Sequence, residues 1–296
     1  MKVAGSDLPL RRWLIRAIFA ILCRMRPRTE PNEVIARLAA DGTEFFTLAD
    51  LRERLEVTAP QARQLAYRLT RRKLIKRIKR GLYAILPPAD WQEGTGAGIN
   101  RYWAAANAVG SEPYYLAYYT AMELHDMTQH PLRTVFVAVT KQHRDLRFGA
   151  ALIRFVTVAP YKFFGYEDHR TADGHVVKVA QLERAFLDCA DRPELCGGIE
   201  EVFRGFVRRR ADLDDDRLLR FVHRLGKPVV TKRLGFLLEM AGANPELLLE
   251  LERAAGRLKR FMPLAKTAPP DHAERNRRWE LTVNTDLRRL FASAKT

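Results

Sequence analysis

The stretch RRKLIKRIKRGLY (71–83) concentrates more charge than any folded core would hold, yet it is interrupted by apolar residues at set places: seven of its first ten residues are Lys or Arg, with Leu74, Ile75 and Ile78 among them. Cationic side chains at that density suit phosphate oxygens, which position a protein on a duplex without reporting its sequence. A solvated charge run has no use for the three apolar residues, so the segment is expected to be folded. Immediately upstream, Ala62, Leu65, Ala66 and Leu69 recur at helical spacing. With that stripe turned inward, Gln61, Arg63, Gln64, Tyr67 and Arg68 face out. Arg makes paired hydrogen bonds to guanine and Gln to adenine, each good pair contributing about 1–3 kcal/mol of discrimination. Arg and Gln are also ordinary surface residues; the basic segment that follows is what favours base reading here. Arg71, Arg72, Lys73, Lys76, Arg77, Lys79 and Arg80 are then the expected phosphate contacts.

The elements that would position these groups can be read from residue 31 onward. Pro31 opens a helix with Val34, Ile35 and Leu38 inward, ending near Asp41-Gly42. Thr47 is placed to cap a short helix over LADLRERL (48–55), and Thr58 to cap a third, with Pro60 in its first turn. The strands LIKRIKR and GLYAIL follow, joined by a tight turn at Gly81. Helix, helix-turn-helix and basic hairpin in this order predict a winged helix-turn-helix. Strict alternation puts Leu74, Lys76, Ile78 and Arg80 on one face of the first strand and Ile75, Arg77 and Lys79 on the other, an imperfect split that a bulge or a two-sided wing would explain. If about six phosphates are neutralised, log affinity falls against log salt with a slope near −5, from roughly −0.9 per contact.

The charge balance agrees. Of 296 residues, 51 are Lys or Arg and 35 Asp or Glu, but residues 1–88 hold 19 of the basic and only 8 of the acidic ones. A basic excess confined to a small domain is the footprint of a polyanion partner. Cys23, Cys189 and Cys196 have no metal-ligand spacing and leave an odd thiol, which points to a reducing compartment, the cytoplasm. In LRRWLIRAIFAILCRMRP (10–27) the longest apolar run, Ala17 to Leu22, is too short to span a bilayer, and a helix docked on the first domain is expected there, with a membrane-surface helix as the alternative. Pro87-Pro88 and the GTGAG that follows at 94–98 mark a boundary. The domains are therefore 1–88, a winged helix-turn-helix with an extra N-terminal helix, and 99–296, a larger mixed α/β domain with a small sheet and a helical C-terminal part, giving an α+β chain.

Beyond the boundary, residues 99–109 and 118–125 read as helices, 133–141, 150–158 and 175–180 as strands, and helical patterns then run from 181 to 258 before a last strand near 277–285. Three segments carry a resemblance. Gly81-Leu82-Tyr83, AMELHDMT (121–128) and Glu183-Arg184-Ala185-Phe186-Leu187-Asp188, in that order and followed by Trp279-Glu280-Leu281-Thr282-Val283-Asn284, resemble the AbiEi family of antitoxins and transcriptional regulators. Asp126 stands where that family usually has Gly, and Ala185 where it has Thr. The resemblance implies a repressor that binds inverted repeats of double-stranded DNA in its own promoter, as monomer or dimer, and an antitoxin linked functionally, without a stable complex, to a nucleotidyltransferase-like toxin.

The alternative from another class is a nucleic-acid-processing enzyme whose basic domain delivers substrate. His125 and His130, five apart, and His169 and His175, six apart, lack the spacing that sets two imidazoles on one helix face. Glu183, Asp188 and Asp191, with Arg184, could form an acidic cluster, though such spacing is common in structural salt-bridge faces. Asp214 to Asp216 suit the acidic start of a helix. No phosphate loop or nucleophile elbow appears. The expectation is a non-enzymatic protein without cofactor, metal site or membrane partner.

Overall fold

The fold is known from a computed structural model that describes residues 30–40, 42–257, 260–265 and 273–286. The helix expected at 10–27 lies outside them. In the first unit, α1 (Pro31–Ala39) starts at Pro31 and buries Val34, Ile35 and Leu38. Strand β1 (Phe45–Thr47) runs into α2 (Leu48–Leu55), and Thr47 closes a reciprocal cap: its N–H donates to Asp50 Oδ2 (2.6 Å) while its Oγ1 accepts from Asp50 N (3.2 Å). Glu56 ends α2 in the left-handed region, φ 52°. Then α3 (Ala59–Arg71) buries Ala62, Leu65, Ala66 and Leu69 as one stripe. Lys73, φ 57°, turns the chain out of α3 into β2 (Ile75–Lys79), which returns through Gly81, φ 83°, as β3 (Leu82–Ile85). The sheet order is β1-β3-β2, antiparallel throughout.

The register of β2 against β3 shifts between Arg77 and Lys79. That bulge removes the conflict in the alternation, because the two halves of the strand serve two cores. Leu74 and Ile75 join the α1–α3 core, whereas Ile78, Leu82 and Ala84 join the core of the second unit. The hairpin is therefore packed on both sides.

The segment from 87 to 100 is a fitted strap. Asp90 is buried and its Oδ2 accepts from Gly98 N (2.9 Å), and Trp91 Nε1 donates to Leu86 O (2.8 Å). Beyond it lie α4 (Arg101–Val109), β4 (Tyr114–Leu116), α5 (Tyr119–Leu124), β5 (Thr134–Val139), β6 (Leu146–Phe148), β7 (Ala151–Thr157), β8 (Tyr166–Arg170) and β9 (Val176–Ala180). These strands form one mixed six-stranded sheet of order β6-β7-β5-β4-β9-β8. It is larger than the expected short sheet: β4, β6 and β8 were not legible as strands.

A helical layer follows: α6 (Leu182–Asp191), α7 (Ile199–Arg209), α8 (Asp215–Leu225), α9 (Pro228–Met240) and α10 (Pro245–Ala255). α6 packs against α5, α7, α8 and α9 and is buried from Glu183 to Ala190. The last described elements, β10 (Met262–Pro263), β11 (Glu274–Asn276) and β12 (Leu281–Val283), form a small sheet of order β10-β12-β11. Trp279 fastens it to α9: the ring is fully buried against Gly235, and its Nε1 donates to Glu239 Oε2 (2.6 Å). Asn284 closes the same sheet by exchanging two hydrogen bonds with the Ala265 backbone (2.7 and 3.0 Å).

Candidate nucleic-acid interface

Opposite its buried stripe, α3 presents Arg63, Gln64, Tyr67 and Arg68 to solvent, one and four residues apart and hence on one face. Tyr67 is 65% exposed, an unusual state for a large aromatic ring and one that suits contact with a partner. Gln61 does not share this face freely. Its Oε1 accepts from both the N–H and the Oγ1 of Thr58 (2.9 Å each), so it closes the cap of α3. The signal was present in the sequence as Thr58-x-x-Gln61, the pattern of a capping box.

The seven cations of the following segment divide by chemistry. Arg71, Arg72, Arg77 and Arg80 are exposed, Arg77 bonding only across the bulge from Nε to Lys79 O (3.3 Å). The three lysines reach inward to carbonyls. Lys73 Nζ donates to Gln92 O, Lys76 Nζ to Thr95 O (2.6 Å), and Lys79 Nζ to Ala108 O (2.7 Å). Lys76 also lies over the Phe148 ring, 5.7 Å from its centroid. Lys79 sits at the C-terminal end of α4, where the helix dipole favours a cation. A flexible ammonium with three donors suits such single carbonyls, whereas the planar guanidinium is the better match to phosphate. No Asp or Glu occurs from 57 to 89, so the field of these groups is not offset locally along the chain.

Several of the other residues singled out in the sequence have structural partners. His125 Nε2 meets Ala180 O (2.6 Å), and burial pulls its pKa below that of an ordinary imidazole. Glu183, Asp188 and Asp191 are not brought to one site. Glu183 accepts from Asp214 N (3.0 Å) and pairs with Arg217 (3.4 Å), Asp188 pairs with Arg184 (2.9 Å), and Asp191 pairs with Lys227 (2.6 Å). Arg184 also donates to the Tyr115 hydroxyl (3.1 Å) and stacks on Phe164 (4.5 Å), so the motif on α6 ties the sheet to the helical layer. Burial raises the Asp188 pKa against the opposing effect of Arg184. Asp214 caps α8, accepting from Arg217 N (2.9 Å). Among the described residues no group of three His, Cys, Asp or Glu side chains is placed to hold a metal ion, and no helix is long and apolar enough to cross a membrane.

A three-helix unit with an exposed cationic third helix fits the helix-turn-helix class of regulators. Consistent with it, residues 33–86 match the family model described as transcriptional regulator, AbiEi antitoxin. No curated protein matches the sequence. Among solved structures the chain is similar to the crystal structure of RV2827C protein from Mycobacterium tuberculosis, with a TM-score of 0.67 and 16% identity over 92% of this chain and 96% of that one. At that identity the likeness is one of fold, and it extends across both units.

Proposed function

We propose that this protein is a sequence-specific DNA-binding repressor of its own operon and the antitoxin of a nucleotidyltransferase-like toxin. The reader is a winged helix-turn-helix, with α3 in the major groove and the β2–β3 hairpin as its wing. The observation that carries the reading is the outward face of α3: Arg63, Gln64, Tyr67 and Arg68 stand exposed together, with no acidic residue in that stretch of chain. Arg63, Gln64 and Arg68 read base edges and Tyr67 packs against the groove wall, while Arg71, Arg72, Arg77 and Arg80 hold phosphates on either side. Gln61 supports this face as the cap of α3. Lys73, Lys76 and Lys79 join the wing to the strap and the second unit, and are left out of the phosphate set.

The second unit supplies the antitoxin role, acts without catalysis or cofactor, and works in the cytoplasm. The match of residues 33–86 to an antitoxin and regulator family supports both halves of the reading. Footprinting on DNA upstream of the protein's own gene tests the first half: a protected inverted repeat is expected, lost when Arg63, Gln64 and Arg68 are replaced by Ala. Co-expression with the product of an adjacent nucleotidyltransferase-like gene tests the second, with restored growth as the expected result.

A further inference from the structure

Besides the lysines and the hairpin residues Ile78, Leu82 and Ala84 that join the second core, an aromatic and ionic cluster links the two units. His175, in the turn between β8 and β9, stacks its ring on Trp103 of α4, centroids 5.0 Å apart and planes 8° from parallel. The far side of that contact belongs to the first unit: Phe45 of β1 meets Trp103 edge-on at 6.3 Å and 81°. His175 Nε2 lies 3.3 Å from Glu44 Oε2, just ahead of β1, and 3.8 Å from Asp173 Oδ2 in its own turn. The imidazole thus stands between a carboxylate of each unit.

We propose that His175 is a pH-sensitive latch between the two units, gripping Glu44 when its imidazole is charged and loosening when it is neutral. The charged groups around it are Glu44 from the β1 side, Asp173 from its own turn, and Arg170, whose guanidinium is turned to Gly174 O (3.0 Å); α4 contributes Trp103, and Asn100, which caps α4, binds Asp173. Asp173 is held in place, accepting from Asn100 Nδ2 (2.8 Å) and Thr171 Oγ1 (2.5 Å), and these bonds keep its carboxyl below the usual range, so it stays an anion where an imidazole titrates. Histidine is the side chain whose charge ordinarily changes between about pH 5 and 8. An imidazolium between two carboxylates is attracted to both, whereas the neutral ring keeps at most one hydrogen bond and its stacking.

The latch has a path to the reader. Glu44 O accepts from Ile85 N (2.8 Å), β1 pairs with β3, and Thr47 at the end of β1 caps α2. Holding Glu44 therefore holds the strand that starts the helix-turn-helix. This concerns the joint between the units and stands whether or not α3 reads DNA.

The test is the backbone amide spectrum of the full chain, followed by NMR at pH 8 and pH 5.5. The Phe45 and Phe46 signals are expected to move between the two conditions in the wild type. The movement should vanish in His175→Gln and shrink in Glu44→Gln, a variant that leaves the ring on Trp103. Signals that do not move in the wild type, or that move undiminished in His175→Gln, would overturn the proposal.

Discussion

Lys79 of the hairpin donates to Ala108 O at 2.7 Å, which places a cation of the basic segment at the C-terminal end of a helix in the second unit. Lys76, three residues earlier, does the same for Thr95 O of the strap. A segment that reads as a uniform basic run thus divides in two, with Arg71, Arg72, Arg77 and Arg80 exposed and the ammoniums of Lys73, Lys76 and Lys79 bonded to backbone carbonyls.

This division predicts a shallower salt dependence than charge alone. With Arg71, Arg72, Arg77 and Arg80 on phosphates, log affinity should fall against log salt with a slope of about −3.6, from roughly −0.9 per contact, where all seven cations would give about −6.3. Arg77→Ala should weaken every sequence alike and reduce the slope by about one. Lys76→Ala should leave the slope unchanged and lower thermal stability instead. Anisotropy titrations from low to physiological salt check both variants.

The two glutamines of α3 should behave differently. Gln61→Ala removes the side-chain half of the cap and is expected to cost about 1 kcal/mol of stability, with base preference intact. Gln64→Ala should leave stability within about 0.5 kcal/mol and relax preference at one base pair by about 1–3 kcal/mol. Chemical denaturation and a panel of single-base operator variants separate the two.

His125 gives a pH prediction with a definite sign. Burial depresses its folded pKa, so folding favours the neutral ring, and the stability this contributes is present above the ordinary imidazole pKa of about 6.5 and is lost as pH falls toward the lower folded value. Unfolding free energy should decline from pH 7 toward pH 5. In His125→Asn that part of the decline should be missing, which denaturant melts at several pH values will show.

Gly235 makes way for the Trp279 ring. A β-carbon built on it would lie 2.2 Å from the indole, closer than any relaxed contact, and neither α9 nor the buried ring has room to yield. Gly235→Ala should therefore destabilise the chain by about 1–3 kcal/mol despite its better helix propensity, seen as a lowered melting temperature.

The sequence shows some of this architecture plainly and hides the rest for physical reasons. The stripe of Ala62, Leu65, Ala66 and Leu69 was legible because helical periodicity is local, and the Thr47 and Thr58 caps because capping is too. Strand β4 was not: Tyr114–Leu116 is only three residues long, sits just ahead of a helix, and is a strand because β5 and β9 flank it, partners far along the chain. Charge alone does not show where the lysines reach, since their carbonyl partners lie 19 to 29 residues away and no local pattern announces them. Tyr67 and the arginines stayed where the pattern put them because an outward helix face needs no tertiary partner.

The most direct measurement is a titration of the full chain against two labelled duplexes at one salt concentration, the inverted repeat upstream of its own gene and a shuffled version, repeated with Arg68→Ala. The account predicts at least tenfold tighter binding to the repeat, narrowed in Arg68→Ala by the roughly 1–3 kcal/mol of one base contact while affinity for the shuffled duplex changes little. Equal affinity of the wild type for both duplexes, or an unchanged preference in Arg68→Ala, would contradict the assignment of α3 as the reader.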